Sequence, residues 1–288
     1  MCPRGRQTIG IHLSIAGGLH RAIESARRLR VGAVQIFLKN TNQWRSRLYT
    51  EEEIARFTAA RNAAPDLAIF AHAGYLINIA GSGEVRRKSI AALRDELERA
   101  ALLGISSLVL HPGSHGGRGI DYGVAAAAAA IDAALSRTRR VAILLETTAG
   151  QGASIGHRFE HLRAIIDASS HKRRLGVCLD TCHVFAAGYD LSDEEGYESA
   201  IRAFDRVIGL SRLKLIHLND SARPCGSMVD RHEHIGRGMI GCAGFRRLLH
   251  DSRLAAIPVI LETPKFDNDK ADRINLARVR RMLALHEK

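Results

Sequence analysis

Short apolar runs, separated by stretches of helical periodicity, recur along this 288-residue chain. The runs are rich in Val, Ile and Leu and apolar on both faces, as parallel strands covered by helices must be. They predict strands at 8–13, 33–37, 67–71, 107–110, 141–145, 175–179, 214–218 and 258–261. Helices are predicted between them at 19–29, 51–63, 86–103, 124–137, 159–169, 194–208, 243–249 and 271–285. Eight alternating pairs predict one α/β domain over residues 1–288, a (β/α)8 TIM barrel.

Most of these strands end on a residue that can bind a metal ion. The run VAILLE ends on Glu146, for example, and LAIFAH ends on His72. From the third strand onward, successive strand ends lie about 35 to 45 residues apart, which suits a strand, a loop, a helix and a return. A parallel barrel would gather such side chains at its C-terminal mouth. They are His72, His111, Glu146, Asp180, His183, His217, Asp230, His232 and Glu262.

The carboxylates in this set need positive charge near them. Burying four carboxylates together without cations would cost many kcal/mol and would drive their protonation. Metal ions are the simplest compensation, and imidazole with carboxylate but no thiolate fits Zn²⁺, with Mn²⁺ or Fe²⁺ as alternatives.

The spacing within the set predicts how the ligands are shared. An extended Asp-x-His unit places both side chains on one side of the chain, as in Asp230 and His232. His183, three residues past Asp180, is the natural third partner. The other six residues are too many for one tetrahedral site and fit two metals with a bridging carboxylate. Glu146, on the middle strand of the series, is the best bridge.

Charge and cysteine usage indicate the partner and the compartment. The formal net charge is +12, so an acidic partner is expected, either a nucleic acid or a polyphosphate. Five scattered cysteines favour a reducing compartment over a disulfide framework. The basic segment MCPRGRQTIG is not followed by the apolar region of a secretory signal, and no run of about 18 apolar residues occurs. We expect a cytoplasmic protein with no membrane partner.

Longer motifs around the same residues resemble the endonuclease IV family, the zinc-dependent apurinic/apyrimidinic (AP) endonucleases. They include GIHLSIAGGL, AHAGYLINIA, LVLHPGSH, ILLETTAGQG, GVCLDTCHVFAAGYD and DRHEHIGRG. The match covers essentially the whole chain. The Leu-Asp-Thr-Cys-His and Asp-Arg-His runs are highly specific in combination, and all nine ligand positions hold the residue types expected in the family.

The resemblance implies three Zn²⁺ per chain, with Mn²⁺ acceptable at one site. The first ion would be bound by His72 and His111 and the second by Asp180, His217 and Glu262, with Glu146 between them. The third would be bound by His183, Asp230 and His232. Glu146 and Glu262 would be the catalytic carboxylates of a three-zinc hydroxide mechanism.

The resemblance also implies the reaction and the substrate. A deoxyribonuclease IV hydrolyses the phosphodiester 5′ to an abasic site in duplex DNA, which leaves a 3′-hydroxyl and a 5′-deoxyribose phosphate. Such enzymes also trim blocked 3′ ends. One duplex on one barrel face suits a monomer, which would associate with the nucleoid through DNA.

Tyr75 and Leu76 match the pair that fills the gap left by the extruded sugar. Asn42 stands where studied members of the family carry an intercalating Arg, which predicts weaker substrate affinity unless nearby Arg45 or Arg47 substitutes. Lys39, Arg231 and Arg237, on loops at the same mouth, are the other candidates for DNA contacts.

Two other interpretations stay open. A sugar isomerase or epimerase on the same barrel would use Glu146, Asp180, His217 and Glu262, but it has no use for a third site. A non-catalytic DNA-binding protein would explain the basic charge but not the nine ligands.

Overall fold

A closed barrel of eight parallel strands forms the centre of the computed structural model, which describes residues 7–266 and 269–284. The first strand pairs with both the second and the last, which closes the barrel. All eight strands lie within one residue of their predicted bounds, so the predicted TIM barrel is confirmed. They are β1 (Ile9–His12), β2 (Ala33–Phe37), β3 (Ala68–His72), β4 (Ser107–Leu110), β5 (Ala142–Glu146), β6 (Leu175–Asp180), β7 (Leu213–His217) and β8 (Val259–Leu261).

Nine α-helices of the described residues surround the barrel, eight of them at the predicted places. They are α1 (Leu19–Leu29), α2 (Glu51–Asn62), α3 (Gly83–Leu102), α4 (Ile120–Leu135), α5 (Phe159–Ala168), α6 (Thr181–Ala186), α7 (Glu194–Val207), α8 (Gly241–His250) and α9 (Lys270–Ala284). The last residue of the helix predicted at 271–285 lies outside the described residues. The alanine-rich α4 buries Ala126, Ala127, Ala128 and Ala130, because small side chains let a helix pack closely.

The short helix α6 was not predicted. It has six residues, too few for a periodic pattern, and it begins where the side chain of Asp180 accepts a hydrogen bond from the backbone N–H of His183. This N-cap turns the chain directly at the end of β6. His183 therefore lies on a helix at the barrel mouth.

Apolar side chains fill the barrel interior below the mouth. Ala33, Val109, Leu144, Cys178, Leu215 and Ile260 form this cluster, with Ala68 and Phe70 packed against it. Space is so limited there that a Cβ on Gly10 would lie 2.4 Å from Cδ1 of Ile260 and 2.6 Å from the carbonyl oxygen of Ala33. The interior is a packed core and the mouth is the accessible part of the barrel.

The long segment between β7 and α8 is folded over the mouth. Its residues Asp220–Ser221 and His232–Glu233 form a two-residue antiparallel ladder. The buried carboxylate of Asp220 accepts hydrogen bonds from the backbone N–H groups of Gly236, Gly238 and Ile240. This segment carries Asp230 and His232, and the ladder determines where His232 lies.

Candidate functional site

Period-two alternation along the strands explains why so many polar side chains meet at the mouth. Side chains two residues apart on a strand point to the same side. Each apolar residue of the interior is therefore followed, two positions later, by another inward-facing residue. In this way Phe70 leads to His72, Val109 to His111, Leu144 to Glu146, Cys178 to Asp180, Leu215 to His217, and Ile260 to Glu262.

The first group of potential ligands comes from three neighbouring strands. His72 ends β3, His111 follows β4 and Glu146 ends β5. Both imidazole Nε2 atoms face the same carboxylate oxygen of Glu146, Oε2, at 3.1 Å from His72 and 2.8 Å from His111. One ligand atom from each residue lies within 4.8 Å of the others, a grouping that could hold a metal ion.

The second group lies on the other side of Glu146. Its Oε1 is 2.9 Å from Nδ1 of His217, while Oε2 of Glu262 is 3.1 Å from the same nitrogen. Asp180 completes the group with Oδ2 at 3.8 Å from that nitrogen. Glu146 is fully buried and turns one oxygen toward each group, which is the geometry of a bridging carboxylate.

The third group combines α6 with the long β7–α8 segment. Nε2 of His183 lies 3.1 Å from Oδ2 of Asp230, and Nε2 of His232 lies 3.4 Å from Oδ1 of the same carboxylate. The two imidazole nitrogens are 3.5 Å apart. The grouping predicted from the Asp-x-His unit is thus present in the structure.

Backbone carbonyl oxygens contact three of the imidazoles. Nδ1 lies against a backbone carbonyl oxygen in His72 (Ala73, 2.8 Å), His183 (Thr147, 2.8 Å) and His232 (Glu262, 3.0 Å). If Nδ1 donates to that oxygen, the neutral ring presents an unprotonated Nε2. In each case this nitrogen faces a carboxylate, so either a proton or a metal ion is needed between the two acceptors. Carbonyl contacts of this kind orient metal-binding histidines, so the donor set fits metal ions.

The electrostatics of the groups lead to the same conclusion. Burial alone would raise the pKa of Glu146, but the imidazoles of His111 and His217 outweigh it and hold the pKa well below its usual value. Burial likewise opposes the imidazolium of His183, yet Asp180 and Asp230 raise its pKa well above the ordinary range. The carboxylates are therefore kept ionised by positive charge, which protons or metal ions can supply.

Sequence reasoning missed two polar side chains at the same level. His12 ends β1 and Gln35 lies on β2, two positions after Gly10 and Ala33. Nδ1 of His12 is 2.8 Å from Oε1 of Glu262, and Nε2 of Gln35 donates to the same oxygen at 2.6 Å. The signal that could have identified them is their position two residues beyond an inward-facing residue.

Most of the predicted DNA contacts are exposed. Tyr75 is 68% exposed and Leu76 36%, so both present apolar surface to solvent. A cavity of about 320 Å³ runs from Tyr75 to His111, His183 and Asp230. Asn42, Arg45, Arg231 and Arg237 are also exposed on loops that follow the barrel strands.

Lys39 does not share this exposure. Its side chain is 3% exposed, and its Nζ lies 2.9 Å from Oδ2 of Asp95 and 3.7 Å from Oε1 of Glu96. The sequence placed Lys39 on a loop at the mouth but did not show the two acidic residues of α3 that pair with it. A phosphate contact would require these ion pairs to break, so we remove Lys39 from the DNA contacts.

No helix in the described ranges, 7–266 and 269–284, is long and apolar enough to cross a membrane.

Comparisons with known proteins agree with this geometry. The family model described as "Xylose isomerase-like TIM barrel" matches residues 23–282. A "Probable endonuclease 4" from Geobacter sulfurreducens is 49% identical over 96% of this chain and 94% of its own. The crystal structure of endonuclease IV from Thermus thermophilus matches with a TM-score of 0.86 and 41% identity, covering 96% of this chain and 99% of that one.

More distant structures share only the fold. A D-tagatose 3-epimerase-like protein has a TM-score of 0.73 at 20% identity, over 98% of this chain and all of its own. The much higher identities of the endonucleases, over almost the full length of both chains, separate the two kinds of relative. The chain therefore belongs to the endonuclease IV family.

Proposed function

We propose that this chain is a DNA-repair endonuclease that hydrolyses the phosphodiester 5′ to an abasic site in duplex DNA. The products would be a 3′-hydroxyl and a 5′-deoxyribose phosphate, and the same site would trim blocked 3′ ends. The observation that carries the proposal is the set of nine converging side chains in three groups, two of which share Glu146.

In this proposal each group binds one Zn²⁺, and Mn²⁺ can replace zinc at one site. His72, His111 and Glu146 hold the first ion, and Glu146 extends to the second group of Asp180, His217 and Glu262. His183, Asp230 and His232 hold the third. The chemistry that such ions supply when bound is Lewis acidity toward phosphate oxygens and acidification of water.

The chain's own residues orient these ligands. Glu146 is fully buried between two groups, so its position is determined by the imidazoles on both sides. Glu262 keeps Oε1 against His12 and Gln35 while Oε2 faces His217, and its side chain is 16% exposed at the mouth. We propose that Glu146 and Glu262 are the carboxylates that act closest to the reacting phosphodiester.

Recognition of the lesion would depend on the exposed residues around the mouth. An abasic sugar lacks a base to stack, so extruding it from the duplex costs less than flipping a paired nucleotide. Tyr75 and Leu76, exposed beside the metal-ligand groups, would fill the gap. Arg45, Arg231 and Arg237 would contact phosphates, and Asn42 would lie nearest the base stack.

A sugar isomerase or epimerase remains the contrasting function on this barrel. It would use the second group, but it leaves the first and third groups without a role. One duplex on one mouth needs no second subunit, so we also propose a monomer; light scattering would then give a mass near 31.5 kDa.

The proposal is tested with a labelled duplex that carries one abasic-site analogue, incubated with the purified protein in excess EDTA without added Mg²⁺. We expect one cut 5′ to the lesion, an extendable 3′-hydroxyl and no cut in an undamaged duplex. Glu262→Gln, which keeps the size of the side chain, should abolish the cut. No cleavage in EDTA, and none after Zn²⁺ or Mn²⁺ is restored, would favour the sugar-active alternative.

A further inference from the structure

We propose that four charged side chains, Lys39 with Asp95, Glu96 and Arg99 of α3, hold two DNA-facing loops at a set distance from one another. The loops are the β2–α2 loop (residues 38–50), which carries Asn42 and Arg45, and the β3–α3 loop (residues 73–82), which carries Tyr75 and Leu76. The inference rests on the proposed function and adds positioning residues to it.

The β2–α2 loop is held through its backbone carbonyls. Nζ of Lys39 donates to the carbonyl oxygen of Trp44 at 3.2 Å as well as to Asp95. Nη2 of Arg99 donates to the carbonyl oxygens of Ser46 and Arg47 at 3.1 and 2.9 Å, while its Nε pairs with Asp95. Three backbone carbonyl oxygens of the β2–α2 loop thus accept hydrogen bonds from Lys39 and Arg99. Both of these cations also pair with Asp95 of α3.

The β3–α3 loop is held by the next residue of the same helix. Both carboxylate oxygens of Glu96 accept from the backbone N–H of Gly74, at 3.3 and 3.1 Å. A Cβ on Gly74 would lie 3.2 Å from Oε1 of Glu96 and 3.6 Å from Cα of Thr41. The two loops therefore approach each other closely at Gly74, directly before Tyr75.

The side chains that make these contacts are buried. The side chain of Lys39 is 3% exposed, that of Glu96 1% and that of Arg99 4%. Charges buried to this extent persist when they are paired and hydrogen-bonded. The network brings two cations together with two acidic groups, and burial raises the pKa of one of these, Glu96, to about 7 although Lys39 opposes the rise. Its contacts go to loop backbone beside the residues proposed to enter DNA, so displacing these loops would weaken binding of the DNA substrate.

The test compares Glu96→Leu, Glu96→Gln and Leu97→Ala. The Gln variant keeps an acceptor for the N–H of Gly74, whereas the Leu variant has none. Leu97, the neighbouring residue of α3, is fully buried in the apolar core and its side chain has no polar atom, so its truncation destabilises the helix without removing a side-chain hydrogen bond to either loop.

Hydrogen–deuterium exchange of the metal-loaded protein without DNA should be faster in residues 40–49 and 73–80 of Glu96→Leu, but not of Leu97→Ala. On the abasic duplex, Glu96→Leu should raise KM by about tenfold and leave kcat within about threefold, with unchanged metal content. Glu96→Gln should restore KM.

Equal loop exchange and KM in Glu96→Leu and Leu97→Ala would overturn the inference, as would a Gln variant that resembles the Leu variant. If the wild-type protein does not cleave the duplex, the proposed function fails separately, and exchange alone decides whether Glu96 ties the loops.

Discussion

The side-chain carbonyl oxygen of Gln35 lies 2.9 Å from Nε2 of His217, the ring nitrogen that points away from the carboxylates. Nε2 of the same amide donates to Glu262. Gln35 is fully buried, so one residue orients two members of the second group. Contacts of this kind keep a metal-binding imidazole in the required tautomer.

Gln35→Leu should therefore weaken metal binding at the second group by about 10- to 100-fold. Competition with a chromophoric chelator measures this directly. Gln7→Leu is a matched control, because Gln7 is also buried and donates to the backbone carbonyls of Leu254 and Ile257 away from the mouth. Equal chelator competition in both variants would contradict the role of Gln35.

His183→Ala should remove about one metal ion per chain, because the third group would keep only two protein ligands. Elemental analysis of the purified variant measures the loss, and circular dichroism checks that the fold persists. His171→Ala serves as the control, since His171 pairs with Asp132 outside the three groups. An unchanged zinc content in His183→Ala would rule out the proposed third site.

Asn42→Arg should lower KM for the abasic duplex by about tenfold, since a charge-assisted hydrogen bond is stronger than a neutral one. Steady-state cleavage gives KM, and a gel-shift assay shows whether product is retained longer. Asn62→Arg adds the same charge at an exposed residue near the end of α2. If both variants lower KM equally, only the overall charge matters and the prediction is wrong.

Arg231→Ala and Arg237→Ala should each reduce the steepness of the salt dependence of DNA binding by about one counterion. Titrations of fluorescent duplex at several salt concentrations give the slope. Arg173→Ala removes an exposed charge that lies before β6, at the opposite end of the barrel. The assignment of both residues fails if the three variants share one slope.

The barrel and the convergence of nine side chains at its mouth could be predicted because both follow from local patterns. Strand ends are marked by apolar runs, and period two determines which side chain enters the mouth. His12 and Gln35 were missed since their importance comes from contact with Glu262, some 250 and 227 residues away. The error at Lys39 has the same origin, because its partner Asp95 lies 56 residues further along the chain. Six-residue α6 is too short to show periodicity.

Arg231 lies between two members of the third group, Asp230 and His232. Backbone on both sides of it would be fastened by one ion, and its own carbonyl oxygen accepts from the N–H of Ala222. Under the proposed assignment, binding of the third ion would also orient the guanidinium of Arg231 toward a phosphate. Under the same assignment, loss of the third ion would also weaken the binding of damaged DNA.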